Sequence, residues 1–120
     1  MAAYAILNLP RIEAVLQESN LVIDGLYSWE EYKYLREGLA AGFVTLAVWA
    51  PAELRYKRLA QRKVRPLTVE QAQARDFAEI ENVNKGGPIV MADFMIKNDG
   101  TLSELEQHAM AIIKVLRGKD

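Results

Sequence analysis

Short apolar runs alternate with helix-type patterns along this chain. The runs read LVI at 21–23, FVTLAVW at 43–49 and FMI at 94–96. The first is apolar on consecutive rather than alternate residues, which is typical of a strand buried on both faces of a parallel sheet. The second has no charge and is rich in residues with high strand propensity. We therefore predict strands at 21–23, 43–49 and 94–96.

Helical patterns fill the segments between these runs. Three segments match the capping box, in which a Ser or Thr precedes a Glu or Gln by three residues; they begin at Ser28, Thr68 and Thr101. The predicted helices cover about 10–18, 29–40, 51–63, 69–84 and 102–116, and whether 2–7 is helical stays open. The helix at 69–84 is predicted to have its apolar side at Phe77, Ile80 and Val83 and to stop at 85–88. The core-facing stripe of the last helix is predicted to consist of Leu105, Ala109, Ile112, Ile113 and Leu116. The order α-β-α-β-α-α-β-α predicts an α/β fold, in which a three-layer arrangement places helices on both faces of a parallel sheet.

Composition and charge exclude several classes of function for this chain. The chain has 120 residues, which fits one domain at 1–120, and its net charge of −1 argues against a nucleic-acid binder. It has no cysteine and one histidine, His108, so thiolate metal sites and sites with two histidines are excluded. We interpret His108 as a structural or surface residue. No apolar run approaches the length of a membrane span, and no leader peptide is evident, so we expect a cytoplasmic protein without a membrane partner.

The acidic turn after the first run is the first candidate for chemistry. Asp24 and Gly25 follow the predicted strand at 21–23. Ligands of parallel sheets lie beyond the carboxyl ends of the strands, so Asp24 is placed to hold Mg²⁺ through water or to accept a proton from a substrate hydroxyl. The alternative is that Asp-Gly is simply a turn.

A group of arginines is the second candidate. It lies on and after the predicted helix at 51–63 and comprises Arg55, Arg58, Arg62, Arg65 and Arg75. The first three are spaced three and four residues apart, so they share one face of a helix. Guanidinium groups are forked donors that suit phosphate oxygens. The alternative is a solvated helix face that pairs with Glu53, Glu70 or Asp76.

The third candidate is the turn formed by Asn98, Asp99 and Gly100. It follows the strand predicted at 94–96 and precedes a helix N-terminus, where backbone N–H groups can meet a ligand. A plain turn in front of a capped helix is the alternative.

Together these segments resemble the P-loop nucleotide kinases. VIDG with a capped helix resembles their third-strand region, and LAVWAPAELRYKRLAQR resembles their fourth strand with the arginine-bearing helix that leads into the lid. ADFMIKNDGTLSELEQHA is similar to the closing stretch of dephospho-coenzyme A kinase and related archaeal nucleotide-kinase-like proteins. The resemblance implies a P-loop NTPase-like fold whose first strands are absent, with a lid-like segment at about 51–88.

The resemblance also implies roles for the candidate residues. Asp24 would lie near the transferred phosphoryl group and magnesium, with Gly25 beside it. Arg62 and Arg75 would contact the nucleotide phosphates as lid arginines, and Arg58 and Arg65 belong to the same basic group. Asn98, Asp99 and Gly100 would lie against the adenine. The implied cofactors are ATP and Mg²⁺, and the implied partner is a nucleotide or a phosphorylated small molecule.

Two departures from that pattern limit the expected activity. Many relatives carry an arginine two residues after the Asp-Gly turn, where this chain has Tyr27. No G-x-x-x-x-G-K-[ST] loop is present, so nothing cradles the β- and γ-phosphates. We expect a chain that resembles the C-terminal two-thirds of a nucleotide kinase and is inactive unless an N-terminal P-loop completes it.

The alternative is a non-catalytic module that binds a nucleotide or phosphate or forms a dimer. In the kinases that this chain resembles, the first strand lies between the third and the fourth. The resemblance therefore implies that its absence leaves the runs at 21–23 and 43–49 with unpaired edges, and such edges invite pairing. We therefore predict that these two runs pair with each other or recruit a strand from another copy, giving a homo-oligomer.

Overall fold

The structure is a computed structural model that describes residues 2–118, apart from the side chain of Ala41. Residues 1, 119 and 120 of the predicted domain at 1–120 lie outside the described residues. In chain order the elements are α1 Ala3–Leu16, α2 Trp29–Leu39, β1 Leu46–Trp49, α3 Ala52–Gln61, α4 Val69–Val83, α5 Gly86–Val90, β2 Phe94–Lys97 and α6 Leu102–Arg117. A short 3-10 turn, Ala40–Gly42, follows α2.

The chain divides into two compact units. The first contains residues 2–44 together with Phe77–Met91, and the second contains Thr45–Asp76 together with residues 92–118. Helix α4 continues from the second unit into the first at residue 77. The assignment of 1–120 to a single domain with a lid-like segment at 51–88 stays a prediction.

The first unit is helical, and its core lies between α1 and α2. Ala5 and Ile12 of α1 are buried with Leu35 of α2. Partly buried apolar side chains pack around them: Leu9, Leu26, Tyr34, Leu39 and Phe43. The Trp29 ring stacks on Tyr32 with centroids 5.1 Å apart, which extends the packing along α2.

Helix α1 is longer than the helix predicted at 10–18. It begins at Ala3 and continues through Pro10, so the segment left open at 2–7 is helical. Pro10 has no N–H and cannot make the backbone bond of an interior helical residue. Burial of Ala5 and Ile12 on the same side of the helix offsets that loss, because the two are separated by two helical turns.

The second unit contains the sheet. Strands β1 and β2 are parallel, with Leu46 opposite Phe94 and Trp49 opposite Lys97. The predicted parallel direction is therefore confirmed for this pair, although β1 begins three residues later than expected. Helix α6 packs on β2. Its half-buried residues are Leu105, Ala109, Ile112 and Leu116, whereas Ile113 of the predicted stripe is exposed.

Side-chain hydrogen bonds tie together the residues that immediately precede the two strands. The Asp93 carboxylate accepts from the Thr45 N–H at 3.0 Å and from the Thr45 hydroxyl at 3.4 Å. In return the Thr45 carbonyl accepts from the Asp93 N–H at 3.0 Å. These bonds satisfy polar groups at the point where both strands enter the sheet.

The prediction of a buried strand at 21–23 is wrong. Residues 21–28 have no helix or strand geometry, and Leu21, Val22 and Ile23 are exposed, Val22 by 93%. A strand needs a neighbour for its N–H and C=O groups, and among the described residues this run has none. The described sheet is correspondingly two-stranded, so a larger three-layer or P-loop NTPase-like sheet stays a prediction.

One further expectation about helices is corrected. Phe77 and Ile80, expected on the apolar side of α4, are exposed, while Ala72 is the buried residue of that helix. The expected stop at 85–88 is confirmed, because α4 ends at Val83. A short helix, α5, then begins at Gly86 with Pro88 in its first turn, where the missing N–H is tolerated. No helix within residues 2–118 is both long and apolar enough to cross a lipid bilayer.

The three helix starts marked by capping boxes are confirmed. Ser28 accepts from the Glu31 N–H at 3.1 Å, and Thr68 accepts from the Gln71 N–H at 3.2 Å. At α6 the exchange is reciprocal, because Thr101 accepts from Glu104 N–H and the Glu104 carboxylate accepts from Thr101 N–H at 2.7 Å. Each bond satisfies an N–H group that the first helical turn leaves open.

Candidate functional site

The carboxyl ends of β1 and β2 define one edge of the sheet. The Asn98 N–H donates to the Trp49 carbonyl at 2.6 Å, so the ladder extends to the first residue of the turn after β2. Beyond β1, Pro51 leads directly into α3, and beyond β2 the turn Asn98, Asp99, Gly100 leads into α6. This is the edge at which parallel α/β sheets bind ligands.

Arg58 joins the two sides of that edge. Its Nη1 donates to the Asn98 carbonyl at 2.6 Å, and its Nη2 lies 3.5 Å from the Gly100 carbonyl. The arginine predicted to bind phosphate and the turn predicted to bind a nucleotide are therefore in direct contact. Arg58 and Asn98 are 40 residues apart in the sequence, so local sequence patterns could not predict this contact.

The charge of Arg58 is not neutralised by a carboxylate within the part of the chain that the structure describes, since its hydrogen-bond partners there are both carbonyl oxygens. A guanidinium has five N–H donors. Two of them serve the turn, which leaves donors for an anionic ligand. Holding Arg58 by carbonyl groups fixes its direction and keeps its full positive charge.

Arg55, one turn earlier on α3, differs from Arg58 because it is paired with a carboxylate. Its Nη1 lies 2.8 Å from the Asp76 carboxylate, and its Nε donates to the Ala50 carbonyl at 3.3 Å. Tyr56 also donates to Asp76, at 2.9 Å, and this bond raises the pKa of the Tyr56 hydroxyl. The alternative interpretation, a basic helix face paired with Asp76, is thus confirmed for Arg55. The part of Tyr56 was missed because no spacing rule links it to Asp76.

Arg62 and Arg65 contact each other. The Arg62 Nε donates to the Arg65 carbonyl at 3.0 Å, and its Nη2 contacts the same oxygen. Arg65 has a φ of +50°, a left-handed conformation that is uncommon for a residue with a side chain. These bonds shape the chain reversal after α3. Arg75 is exposed on α4, and its proposed contact with a phosphate stays a prediction.

Gly100 lies against the cap of α6. A Cβ at this position would meet the end of the Glu104 side chain, so a larger residue would displace that carboxylate from the capping box. Hydrogen bonds from Thr101, the backbone N–H first, lower the pKa of the Glu104 carboxyl. Asp99 is exposed between these residues. The turn is therefore built by its helix cap, as the alternative interpretation predicted, and it also holds Arg58.

Asp24 and Gly25 lie in the first unit. Asp24 is exposed, and Gly25 has a φ of +93°, so this step has the backbone of a turn that favours glycine. The Tyr27 ring closes on Gly25, and the Lys85 ammonium lies 5.3 Å from the centre of that ring. Lys85 also pairs with Glu79 at 2.6 Å. Asp24 thus keeps its predicted place after the apolar run but does not follow a strand.

Metal binding at Asp24 stays a prediction. Within residues 2–118, no three His, Asp or Glu side chains gather in a group that could hold a metal ion. A single exposed carboxylate does not define a magnesium site by itself, since such sites take further oxygen ligands from water and phosphate. Asp24 would therefore need a bound phosphate and water molecules to complete a magnesium site.

Comparison with known proteins links this chain to proteins named UPF0200. It is 37% identical over 106 residues to a UPF0200 protein of Sulfurisphaera tokodaii, covering 86% of this chain and 58% of the relative. A UPF0200 protein of Thermococcus gammatolerans is 35% identical, covering 97% and 63%, and one of Thermococcus kodakarensis is 31% identical, covering 98% and 65%. The chain therefore spans about three-fifths of the length of these relatives. No protein-family model matches it. No solved structure matches it.

These relatives correct the interpretation of the chain as the C-terminal part of a P-loop nucleotide kinase. The matching proteins come from archaea and are named UPF0200, a name that states no activity, and nothing in them points to a truncated kinase. The resemblance was carried by a turn after an apolar run and by strand–turn–helix segments. Such segments are common to many α/β proteins and carry little information about function.

Proposed function

We propose that this chain binds the phosphate group of a nucleotide or another phosphorylated small molecule at the carboxyl edge of β1 and β2. The observation that carries the proposal is the position of Arg58, whose guanidinium is held by the carbonyls of Asn98 and Gly100 at that edge. A fixed arginine beside the ends of parallel strands offers an anion both charge and directed donors.

The contrast with Arg55 supports Arg58 as the residue that binds the ligand. Arg55 is paired with Asp76 at 2.8 Å, so an anion would have to displace a carboxylate from it. Arg58 is half-buried and engaged only with neutral oxygens in the described part of the chain. Partial burial reduces the screening by water and strengthens the attraction to an incoming phosphate.

The proposal is limited to binding. Phosphoryl transfer from ATP with Mg²⁺ was implied only by the resemblance to kinases, and the relatives of this chain have a name that states no activity. The alternative to phosphoryl transfer is a binding role. The basic helix and the turn supported this role independently of the resemblance to kinases. The cytoplasmic location predicted from the sequence is kept as part of this proposal.

Calorimetric titration with ATP and with inorganic phosphate tests the proposal. Arg58→Gln removes the guanidinium, and Lys57→Gln removes the same charge from the neighbouring, exposed position of α3. Loss of hydrogen bonds to a charged group costs about 1.5–3 kcal/mol, so we expect Arg58→Gln to weaken binding about 10-fold or more. Lys57→Gln should change it much less.

The result that contradicts the proposal is equally specific. If neither ligand binds the unmodified chain, or if both variants weaken binding equally, Arg58 is not the phosphate ligand. Amide shifts in the NMR spectrum give a second readout. The amides of Asn98 and Gly100 should move on addition of ATP.

A further inference from the structure

Two guanidinium groups lie at the carboxyl edge of the sheet, one beyond each strand. Arg58 is held there by the Asn98 carbonyl, which follows β2. Arg55 donates through Nε to the Ala50 carbonyl at 3.3 Å, and Ala50 follows the last residue of β1. Neighbouring strands are about 4.8 Å apart, and residues three apart on a helix are neighbours on its surface. A ligand at Arg58 therefore has Arg55 as the next cation along the edge.

A carboxylate already occupies Arg55. Asp76 of α4 lies 2.8 Å from its Nη1, and the Tyr56 hydroxyl donates to the same carboxylate oxygen at 2.9 Å. The centre of the Tyr56 ring also lies 5.5 Å from the Arg55 guanidinium carbon. The Asp76 side chain is only 23% exposed, so water screens its charge incompletely. Two donors and partial burial keep this carboxylate in place, and all of these residues belong to the second unit.

We propose that Asp76 makes the site selective for ligands with a single phosphate group. A first phosphate reaches the remaining donors of Arg58, whereas a second phosphate reaches toward Arg55 and meets the carboxylate that neutralises it. Like charges repel, and partial burial strengthens the repulsion. The ligand class is therefore inorganic phosphate and phosphate monoesters rather than diphosphates. This inference rests on the proposed binding of phosphate at Arg58.

The alternative is that a second phosphate displaces Asp76 and takes its place on Arg55. Displacement would break the contact of 2.8 Å and leave the carboxylate, within the described residues, with the neutral hydroxyl of Tyr56 as its partner. Loss of one partner from a partly buried ion pair is costly, because the remaining charge is no longer compensated. The bond from Tyr56 also holds Asp76 near Arg55. The geometry thus favours exclusion of the second phosphate.

Calorimetric titration with inorganic phosphate and with pyrophosphate tests the selectivity. The unmodified chain should bind pyrophosphate no more tightly than phosphate. Asp76→Asn keeps the shape of the side chain and leaves Arg55 with its full positive charge, so we expect the affinity for pyrophosphate to rise about 10-fold or more relative to phosphate. Glu53→Gln is the matched control, because it removes the same charge from an exposed position of α3 and should leave the ratio of the two affinities unchanged.

A double variant assigns the gain to Arg55. Asp76→Asn combined with Arg55→Gln should return the ratio to that of the unmodified chain, because the guanidinium that Asp76 had neutralised is then missing. Tyr56→Phe is a milder variant that removes only the hydroxyl that holds Asp76. It should raise the ratio in the same direction by a smaller factor, and it provides the test if Asp76→Asn does not fold. Thermal unfolding checks that each variant is folded at the temperature of the titration.

Failure of this inference is distinguishable from failure of the proposed function. The role of Asp76 is overturned if the unmodified chain prefers pyrophosphate, if neither Asp76→Asn nor Tyr56→Phe changes the ratio, or if Glu53→Gln raises it equally. A gain that persists without Arg55 also overturns it. Each of these results is compatible with a phosphate site that Arg58→Gln weakens. If the unmodified chain binds neither ion, the inference is overturned, and the titration with ATP decides the proposed function separately.

Discussion

Two apolar runs of this chain, at 21–23 and in β1, have similar sequences and different structures. Both contain leucine and valine without a charge, and each is followed within a few residues by a helix. Only β1 is a strand, because β2 lies beside it and pairs with its backbone. The run at 21–23 is exposed and irregular. Apolar character therefore did not decide strand formation, whereas a neighbouring strand did.

Replacement of a buried isoleucine in the sheet should give the largest effect. Ile96 in β2 is 3% exposed, and Ile96→Ala should lower the free energy of unfolding by about 2–5 kcal/mol. The matched change Ile23→Ala in the irregular run should cost about 1 kcal/mol, because nearly half of that side chain is already in water. Urea denaturation measures both. Equal losses would mean that the run at 21–23 is packed as tightly as the sheet.

The bonds that join the residues just before the two strands should contribute the next largest effect. Asp93→Ala removes the acceptor of the Thr45 N–H and hydroxyl, so it should cost about 1.5–3 kcal/mol. Asp99→Ala is the matched control at an exposed position of the turn after β2 and should change stability by less than about 0.5 kcal/mol. If the two substitutions are equivalent, the contact between Thr45 and Asp93 does not stabilise the sheet.

The helix caps allow a direct comparison of the irregular run with the sheet, because a capped helix follows each of them. Ser28 precedes α2 after the irregular run, and Thr101 precedes α6 after β2. Loss of a cap costs about 0.5–2 kcal/mol, and we expect Ser28→Ala at the upper end because Ser28 is 1% exposed. Thr101→Ala should lie at the lower end, since water can replace an exposed cap. Thermal unfolding of both variants measures the difference, and the reverse order would contradict it.

The smallest effect should appear in the pH dependence of stability. The Thr101 backbone N–H lowers the pKa of the Glu104 carboxyl below its ordinary 4.5. A carboxyl whose pKa is lowered by folding stabilises the protein above the unfolded pKa, and this contribution is lost as the pH falls through the folded pKa. Glu104→Gln should therefore flatten the decline of stability below pH 4.5. An unchanged decline would show that other carboxyls cause it.

Local patterns predicted the secondary structure well where the cause is local. The caps at Ser28, Thr68 and Thr101 follow from the short reach of a hydroxyl to an N–H three residues ahead. The same patterns misplaced Phe77 and Ile80, which are exposed, because helical spacing shows that a face exists but not what covers it. Helix α1 was predicted too short, because Pro10 is a helix-start signal that burial of Ala5 and Ile12 overrode.

For the candidate site, the sequence by itself determined the chemistry of the groups. It placed a basic stripe on one helix and a polar turn after a strand, and it showed that forked donors suit an anion. Only the tertiary structure decided which arginine pairs with a carboxylate and which is held by carbonyl groups. Arg55 is paired with Asp76, 21 residues away, while Arg58 reaches the Asn98 carbonyl, 40 residues away. Propensity and capping act within one helical turn, but charge neutralisation and strand pairing depend on residues that only folding brings together.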